Sequence, residues 1–315
     1  MRLVLTRRTV VTYICSELAE TMNKCGPALV EGHLDEIATL SIEILEKKSL
    51  CQQDPDGDDE NVGVDADSSE YEAALISNAS DVFGAMATIL GPDFGQAFGS
   101  VLPLISQYSN EKRNNGERSM AVGCLGEIIV GLKGGVTQFT QPLLEIISRG
   151  LRDDEADVRS NAAFAAGVLV EHSNADLAPQ YPHILTALQP FFAVPEHSAP
   201  PLYNARDNAA GAISRMIVKN SSALPLDQVI PVIISVMPLR FDTLENRAVF
   251  GALFSIFRTQ PNLLIPHLDH LLSAFAYVLD PSHEDDTTDE TKAELRALVE
   301  HLKAQFPEQC AKAGF

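Results

Sequence analysis

A short helical segment recurs five times along this chain of 315 residues, at a spacing close to forty residues. Each copy has an equivalent helix position, which is polar in three of the five copies, and this position is followed by a run of small and apolar residues. The spacings are 39, 41, 47 and 41 between the five equivalent positions, which are Asp81, Met120, Asn161, Asn208 and Val249. A repeat of this length, with two helices in each unit, restricts the chain to stacked helical repeats.

The repeat predicts an all-α fold: a HEAT-repeat α-solenoid, a right-handed superhelix of antiparallel helix pairs. Proline and glycine punctuation predicts a leading helix near 6–24 and then about six pairs, all in one domain over 1–315. The first of these pairs is expected near 33–48 and 69–90. Later first helices are expected near 93–108, 136–151, 177–193, 226–239 and 263–279. Their second helices are expected near 116–133, 156–173, 203–219, 243–259 and 288–305.

Several predicted first helices carry proline, and each is expected to begin or kink there. These prolines are Pro103, Pro142, Pro182, Pro190, Pro231 and Pro266. An acidic insertion at 52–68 interrupts the pattern, and a second acidic stretch contains Glu284, Asp285 and Asp286. Both are too polar to pack and are expected to form loops. Each is either a solvated linker or an acidic arm that attracts or screens basic partners.

The charge balance limits the partners that such a surface can bind. The net charge is −20, from 43 acidic and 23 basic residues. Nucleic acid and anionic membranes are repelled by such a surface, because binding phosphate requires a stripe of lysine and arginine. Basic proteins would be attracted, although the same charge is also compatible with a role in solubility alone.

No pattern in the sequence indicates a metal, cofactor or membrane site. The five cysteines form no C-x-x-C pair, and their odd number argues against a disulfide framework. No uncharged apolar run approaches the 18–20 residues of a membrane span; the longest, 229–239, contains Pro231 and Pro238. The chain starts directly in a helical pattern without a signal peptide, as though it began partway along a longer solenoid.

The polar repeat rows, the paired helices and the acidic insertion resemble the importin-β (karyopherin-β) family. Segment 115–128 is most similar to the importin-four branch. Family members are about three times as long, so the resemblance implies a monomeric C-terminal region of a nuclear import receptor that shuttles between cytoplasm and nucleus. It implies basic cargo, namely core histone tails and ribosomal proteins, on the concave face lined by second helices. It also implies Ran GTPase and nucleoporins as partners of the full-length receptor.

A candidate cargo site follows from helix geometry, because residues four apart share one face of a helix. Asn offers a donor and an acceptor to an extended peptide backbone. Carboxylates suit a lysine ammonium group, and a tyrosine ring can flank it. The candidate cargo-binding residues are Asp81, Glu117, Glu127, Asp157, Asn161, Tyr203, Asn204, Asp207, Asn208 and Glu245.

Structural roles compete with this prediction. Four equivalent arginines are expected to form a ladder between repeats together with Asp153 or Asp154; they are Arg118, Arg159, Arg206 and Arg247. For Asn161 and Asn208 the alternative to a cargo contact is a structural bond to neighbouring backbone. An enzyme is not expected, because the sequence has neither an H-E-x-x-H nor a phosphate-binding G-x-x-x-x-G-K-[ST] pattern. The alternative function is a HEAT-repeat scaffold for a multiprotein assembly without peptide recognition.

Overall fold

The computed structural model describes residues 2–53, 66–283 and 287–315, with side chains from residue 7 and, after the first gap, from residue 70. The acidic insertion predicted at 52–68 lies largely outside the described residues, and the acidic stretch 284–286 lies entirely outside them. The described residues are helical and contain no β-strand, which confirms the predicted all-α fold class.

Fourteen α-helices are present in the described residues, and short 3₁₀ turns join many of them. In chain order they are α1 (Arg2–Cys25), α2 (Leu34–Leu45), α3 (Ala66–Leu90), α4 (Gly95–Tyr108), α5 (Asn115–Leu132), α6 (Thr140–Gly150), α7 (Ala156–His172), α8 (Tyr181–Leu188), α9 (Pro200–Asn220), α10 (Leu226–Ser235), α11 (Asn246–Thr259), α12 (Leu268–Leu279), α13 (Asp289–Gln305) and α14 (Pro307–Lys312). Contacts divide the chain into unit 1, residues 1–150 with 172–175, and unit 2, residues 151–171 with 176–315. The prediction of one continuous domain stays a prediction.

In unit 1 the second helices pack side by side, with α3 between α1 and α5. Helix α2 packs on α3, and α4 packs on α5. The contact between α3 and α5 is close because Gly131 has no side chain: a Cβ atom there would lie 2.4 Å from the carbonyl carbon of Ala87. Small residues therefore allow the two helix backbones to touch.

In unit 2 the same order is repeated, with α11 packing against α9 and α13. Helices α8 and α10 pack on α9, and α12 packs on α13. The core of the unit is filled by aliphatic residues and by rings such as Tyr181, Phe250 and Phe275. The stacked second helices are thus the elements that could present a continuous row of polar side chains within each unit.

Prolines act at the helix starts more often than inside helices. Pro103 and Pro231 lie inside α4 and α10, whereas Pro182 lies in the first turn of α8. The predicted helix near 136–151 begins later, at Thr140, because a 3₁₀ segment occupies Lys133–Phe139. Helix α9 begins earlier than predicted, at Pro200, where proline is well suited to the first helical position.

The sequence has no uncharged apolar run as long as a membrane span, but a helix can also be long and apolar enough to cross a membrane by its length and overall composition. Two helical stretches, Glu70–Tyr108 and Asn115–Gly150, pass that test, and a bent pair over Thr243–Leu279 would make a third. They pass because isoleucine, leucine, valine, phenylalanine and alanine keep the mean hydropathy high and charged residues are few over long windows. In unit 1 the large apolar side chains of these stretches, such as Phe83 and Leu125, are buried against neighbouring helices.

Candidate cargo-binding site

Asp81 on α3 and Glu127 on α5 form an accessible carboxylate pair in unit 1. A Cβ atom at Gly84 would lie 3.3 Å from Cβ of Glu127, so the two helices are close at this point. Partial desolvation raises the pKa of the Asp81 carboxyl, and desolvation followed by the charge of Asp81 raises the pKa of Glu127. Both residues remain exposed, and within the described part of the chain neither pairs with lysine or arginine. The pair is therefore a place where a cation would relieve repulsion.

Glu117 is less available than predicted. It lies in the first turn of α5, where its backbone N–H donates to the Asn114 side chain over 2.8 Å. Its Oε1 atom is 3.5 Å from Nη1 of Arg113, and only 13% of its side chain is exposed. The Glu117 carboxylate is thus already paired with Arg113, which lies just before the start of α5.

Asp207 on α9 is buried and serves the fold. One oxygen, Oδ1, accepts hydrogen bonds from Nε and Nη2 of Arg206, at 3.1 and 2.9 Å. The other, Oδ2, accepts from the backbone N–H groups of Phe241 and Asp242, at 3.0 and 3.2 Å. With both oxygens satisfied and the side chain fully enclosed, Asp207 has no face left for cargo. The prediction of a cargo contact here is corrected.

Asn208 is also a structural residue. It is 5% exposed, and its Nδ2 group lies within 2.8 Å of Oδ2 of Asp242, 3.1 Å of Oγ of Ser160 and 3.1 Å of the Asn204 carbonyl. These partners come from the preceding repeat, the same helix and the following loop. The amide therefore joins neighbouring repeats of unit 2 instead of facing a peptide, which corrects the second predicted contact.

Glu245 forms a buried ion pair with Arg215 of α9. Its Oε1 accepts from Nη2 at 3.0 Å, and its Oε2 accepts from Nη1. Arg215 also donates from Nε to Glu171 of α7 at 2.9 Å. Burial raises the pKa of Glu245, and the pairing with Arg215 offsets part of that rise. Only 3% of the Glu245 side chain is exposed, so this predicted cargo contact is corrected as well.

Two groups lie against the Tyr203 ring. It stacks on Phe241, with ring centroids 4.4 Å apart, and the Arg206 guanidinium lies 5.1 Å from its centroid. Its hydroxyl donates to the Pro195 carbonyl at 3.1 Å. A lysine stem would have to displace one of these groups. Tyr203 is thus better suited to holding the loop at Phe241 than to reading cargo.

Three predicted residues remain at the surface of unit 2. Asp157 on α7 is exposed, and Asn161 and Asn204 are half-buried. Asp157 and Asn161 lie four residues apart on one helix, as the sequence predicted, so their side chains share a face. The structure therefore divides the predicted site into accessible residues and buried residues that connect the repeats.

The predicted arginine ladder stays a prediction, and two of its arginines also form bonds near the start of their own helices. Arg118 donates to the Arg113 carbonyl at 2.6 Å, and Arg159 donates to the carbonyls of Asp153 and Asp154, both at 2.7 Å. These bonds close the loop in front of each arginine's own helix. Arg215 makes a bridge between repeats of unit 2 that the sequence analysis did not predict. Its available signal was Gly211, four residues earlier on the same face, which leaves room for a charged group.

The described residues include no group of three His, Cys, Asp or Glu side chains placed to hold a metal ion. What unit 1 and unit 2 share is a row of second helices with polar side chains. These features define the class of protein: an α-solenoid of the HEAT type, in which surfaces on stacked helices are available to bind other molecules.

Comparison with known proteins gives the family. The chain is 37% identical over 271 residues to the "Probable importin subunit beta-4" of Schizosaccharomyces pombe, a match covering 84% of this chain and 25% of the relative. It is 31% identical over 302 residues to human Importin-4, covering 95% of this chain and 27% of the relative. Over the matched region the chain belongs to the importin-β family, and it spans about a quarter of the length of these relatives.

Two further comparisons add little. No protein-family model matches the chain. The chain can be superposed on a solved structure of Kap95p, from a study of its binding to RanGDP, with a TM-score of 0.49 and 15% sequence identity. The match covers 97% of this chain and 40% of the Kap95p chain. That degree of likeness is too low to support an argument about partners.

Proposed function

We propose that this chain is part of a nuclear import receptor and that it binds basic, lysine-rich, extended segments of cargo proteins. The observation that carries the proposal is the carboxylate pair Asp81 and Glu127, which is accessible and has no basic partner in the described residues. The importin names of the relatives support the transport role. The net charge of −20 supports a basic partner.

Desolvation and then the charge of Asp81 raise the pKa of Glu127, and a lysine ammonium group between the two carboxylates would offset the second of these effects. Each charge-assisted hydrogen bond would contribute about 1.5–3 kcal/mol. In unit 2, Asp157 offers a second exposed carboxylate, with the Asn161 amide on the same face of α7. Several such contacts, each modest, suit an extended chain better than a compact ligand.

The family resemblance suggests histone tails and ribosomal proteins as cargo. Under this proposal Ran GTPase and nucleoporins bind other parts of the full-length receptor, which shuttles between cytoplasm and nucleus as a monomer. No chemical reaction is assigned to the chain.

The test is fluorescence anisotropy of a labelled histone amino-terminal tail peptide, titrated with the 315-residue chain. The variant Asp81→Asn/Glu127→Gln should bind the peptide roughly tenfold more weakly, as expected for loss of a charge-assisted bond. The matched control, Glu43→Gln/Glu111→Gln, changes two exposed carboxylates of the same unit and should bind like the parent chain. Equal weakening in both variants would mean diffuse attraction to an acidic surface and would contradict the proposal.

Acetylated peptide provides an independent arm of the same experiment. Acetylation removes the lysine charge, so an ammonium site requires weaker binding of the acetylated peptide. Equal affinity for both forms would exclude such a site. Absence of binding even at low salt would favour the alternative function, a scaffold that does not recognise peptides.

A further inference from the structure

A cavity of about 460 Å³ lies in unit 2, between the loop that precedes α7, helix α8 and the start of α9. Its walls are mainly apolar and include Leu151, Phe191, Val194 and Leu202. A volume of this size falls within the range of about 300–1,000 Å³ that ligand pockets usually have. None of its lining residues belongs to the candidate cargo-binding set.

Arg159 lines this cavity and is held in a fixed position. Its Nη1 group donates to the carbonyls of Asp153 and Asp154, both at 2.7 Å. Its guanidinium carbon lies 5.9 Å from the centroid of the Phe191 ring. Among the described residues no carboxylate pairs with Arg159, although the chain has 43 acidic residues. The Nε and Nη2 donors of a pre-positioned guanidinium therefore remain available for a ligand.

The other polar residues that line the cavity also favour an anionic ligand group. Arg152, His183 and Asp153 also line the cavity, so its wall contains two arginines and one carboxylate. A guanidinium fork matches the geometry of a carboxylate, and the match is strongest when the arginine is already oriented. The apolar wall beside it requires the ligand to carry a hydrophobic group next to its acid.

We propose that this cavity binds an acidic segment of a partner protein, with an apolar side chain inside the cavity and a neighbouring carboxylate on Arg159. The chemistry is opposite to that of the basic cargo, so the inference goes beyond the proposed function and does not depend on it. A nucleic acid is not favoured, because phosphate backbones require a stripe of basic residues, and the cavity offers a local cation beside an apolar wall.

The experiment uses the 315-residue chain and three fluorescein-labelled peptides of equal length. The first carries leucine and phenylalanine among aspartate and glutamate. In the second the acidic residues are replaced by their amides, and in the third the apolar residues are replaced by serine. At about 0.15 M salt, where charges more than about 8 Å apart are largely screened, only the first peptide is expected to bind well.

Two substitutions test the two halves of the site. Arg159→Gln should weaken binding of the first peptide about tenfold, as expected for loss of a charge-assisted bond. Ala187→Leu, which fills the cavity from α8, should weaken it by a similar factor. The matched controls Arg149→Gln and Ala297→Leu alter exposed helix positions and should leave binding unchanged. Thermal unfolding of each variant checks that the fold is retained.

Three outcomes would overturn the proposal: no binding of the first peptide, equal binding of the amide peptide, or full binding by Ala187→Leu. Competition by inorganic phosphate together with equal binding of the serine peptide would mean a simple anion site instead. Binding of a lysine-rich peptide is measured on the same variants and should not change. That measurement separates a failure of this inference from a failure of the proposed cargo function.

Discussion

The contact between α3 and α5 in unit 1 and the contact between α9 and α11 in unit 2 use glycine in opposite ways. Gly131 lets α5 approach the α3 backbone at Ala87, so the helices meet through small residues. Gly211 leaves space that the Glu245 carboxylate fills, so that region is joined by an ion pair with Arg215. At the α3–α5 contact, where the backbones touch, the acidic side chains of Asp81 and Glu127 remain at the surface. At α9, where a loop approaches the helix, the acidic side chain of Glu245 is buried.

This difference determines which polar residues can bind cargo. Asp207 and Glu245 are buried because the segment between α10 and α11 folds over α9 and brings its own donors or charges. In unit 1 the carboxylates of Asp81 and Glu127 remain exposed without basic partners in the described residues. Substitutions that remove the space, the charge or the close approach test this difference between the two units.

The largest effect is expected for Gly211→Ala. An added Cβ atom would lie 1.4 Å from Oε2 of Glu245, so the carboxylate must leave Arg215. Separating a buried ion pair costs about 3–5 kcal/mol, and the loss is measured by urea unfolding. Gly251→Ala is the control, because a Cβ atom at that α11 position meets nothing within 4 Å. It should be neutral or stabilising by up to about 1 kcal/mol. Equal destabilisation of both variants would show that helix glycines matter here for another reason.

Asp207→Asn should have the next largest effect. The substitution keeps the side-chain shape but removes the charge that faces Arg206, and it turns one acceptor into a donor beside backbone N–H groups. Hydrogen bonds to charged groups contribute about 1.5–3 kcal/mol, and a loss of that size is expected in the free energy of unfolding. Asp157→Asn, at an exposed position, is the control and should change it by less than about 0.5 kcal/mol. A neutral Asp207→Asn would mean that the loop at Phe241 does not depend on this carboxylate.

Gly131→Ala tests the close approach in unit 1. Because the nearest atom is backbone of Ala87 at 2.4 Å, the helices must separate, and overpacking of this kind typically costs about 1–3 kcal/mol. The matched position is Gly84, where an added Cβ atom would lie 3.3 Å from Cβ of Glu127, a much smaller overlap. Gly84→Ala should therefore be clearly less destabilising in the same unfolding measurement. A larger destabilisation by Gly84→Ala than by Gly131→Ala would show that the closest approach of α3 and α5 is not at Gly131.

The fold could be predicted largely from the sequence because a repeat near forty residues and its proline and glycine punctuation are local signals. The site could be predicted only in part. Periodicity places Asp157 and Asn161 on one helix face, but it contains no information on which loop covers which helix. The prediction of cargo contacts for Asp207 and Asn208 fails because Phe241 and Asp242 approach α9 through a tertiary contact, which the sequence pattern does not show. Arg215 was missed because its two partners lie 44 and 30 residues away.

The smallest expected change in the free energy of unfolding, and the only expected stabilisation by removal of a charge, concerns the exposed carboxylate pair Asp81 and Glu127. Folding raises the pKa of Glu127, chiefly by desolvation and then by Asp81. Its protonated form is therefore favoured by folding, and the resulting stability is fully present below the ordinary pKa and is lost as the pH rises through the raised value. Glu127→Gln removes this titration, so the variant should gain stability relative to the parent chain as the pH rises above the ordinary Glu pKa of about 4.3.

Glu245→Gln is the matched comparison for this pH series. Burial also raises the pKa of Glu245, but the carboxylate holds Arg215, so at pH 7 its replacement should destabilise the chain instead of stabilising it. Urea unfolding midpoints of both variants and the parent, measured at each pH, decide the question. Parallel curves for Glu127→Gln and the parent would show that the unit 1 carboxylate does not oppose folding. The carboxylate pair would then lose the electrostatic argument for a bound ammonium group.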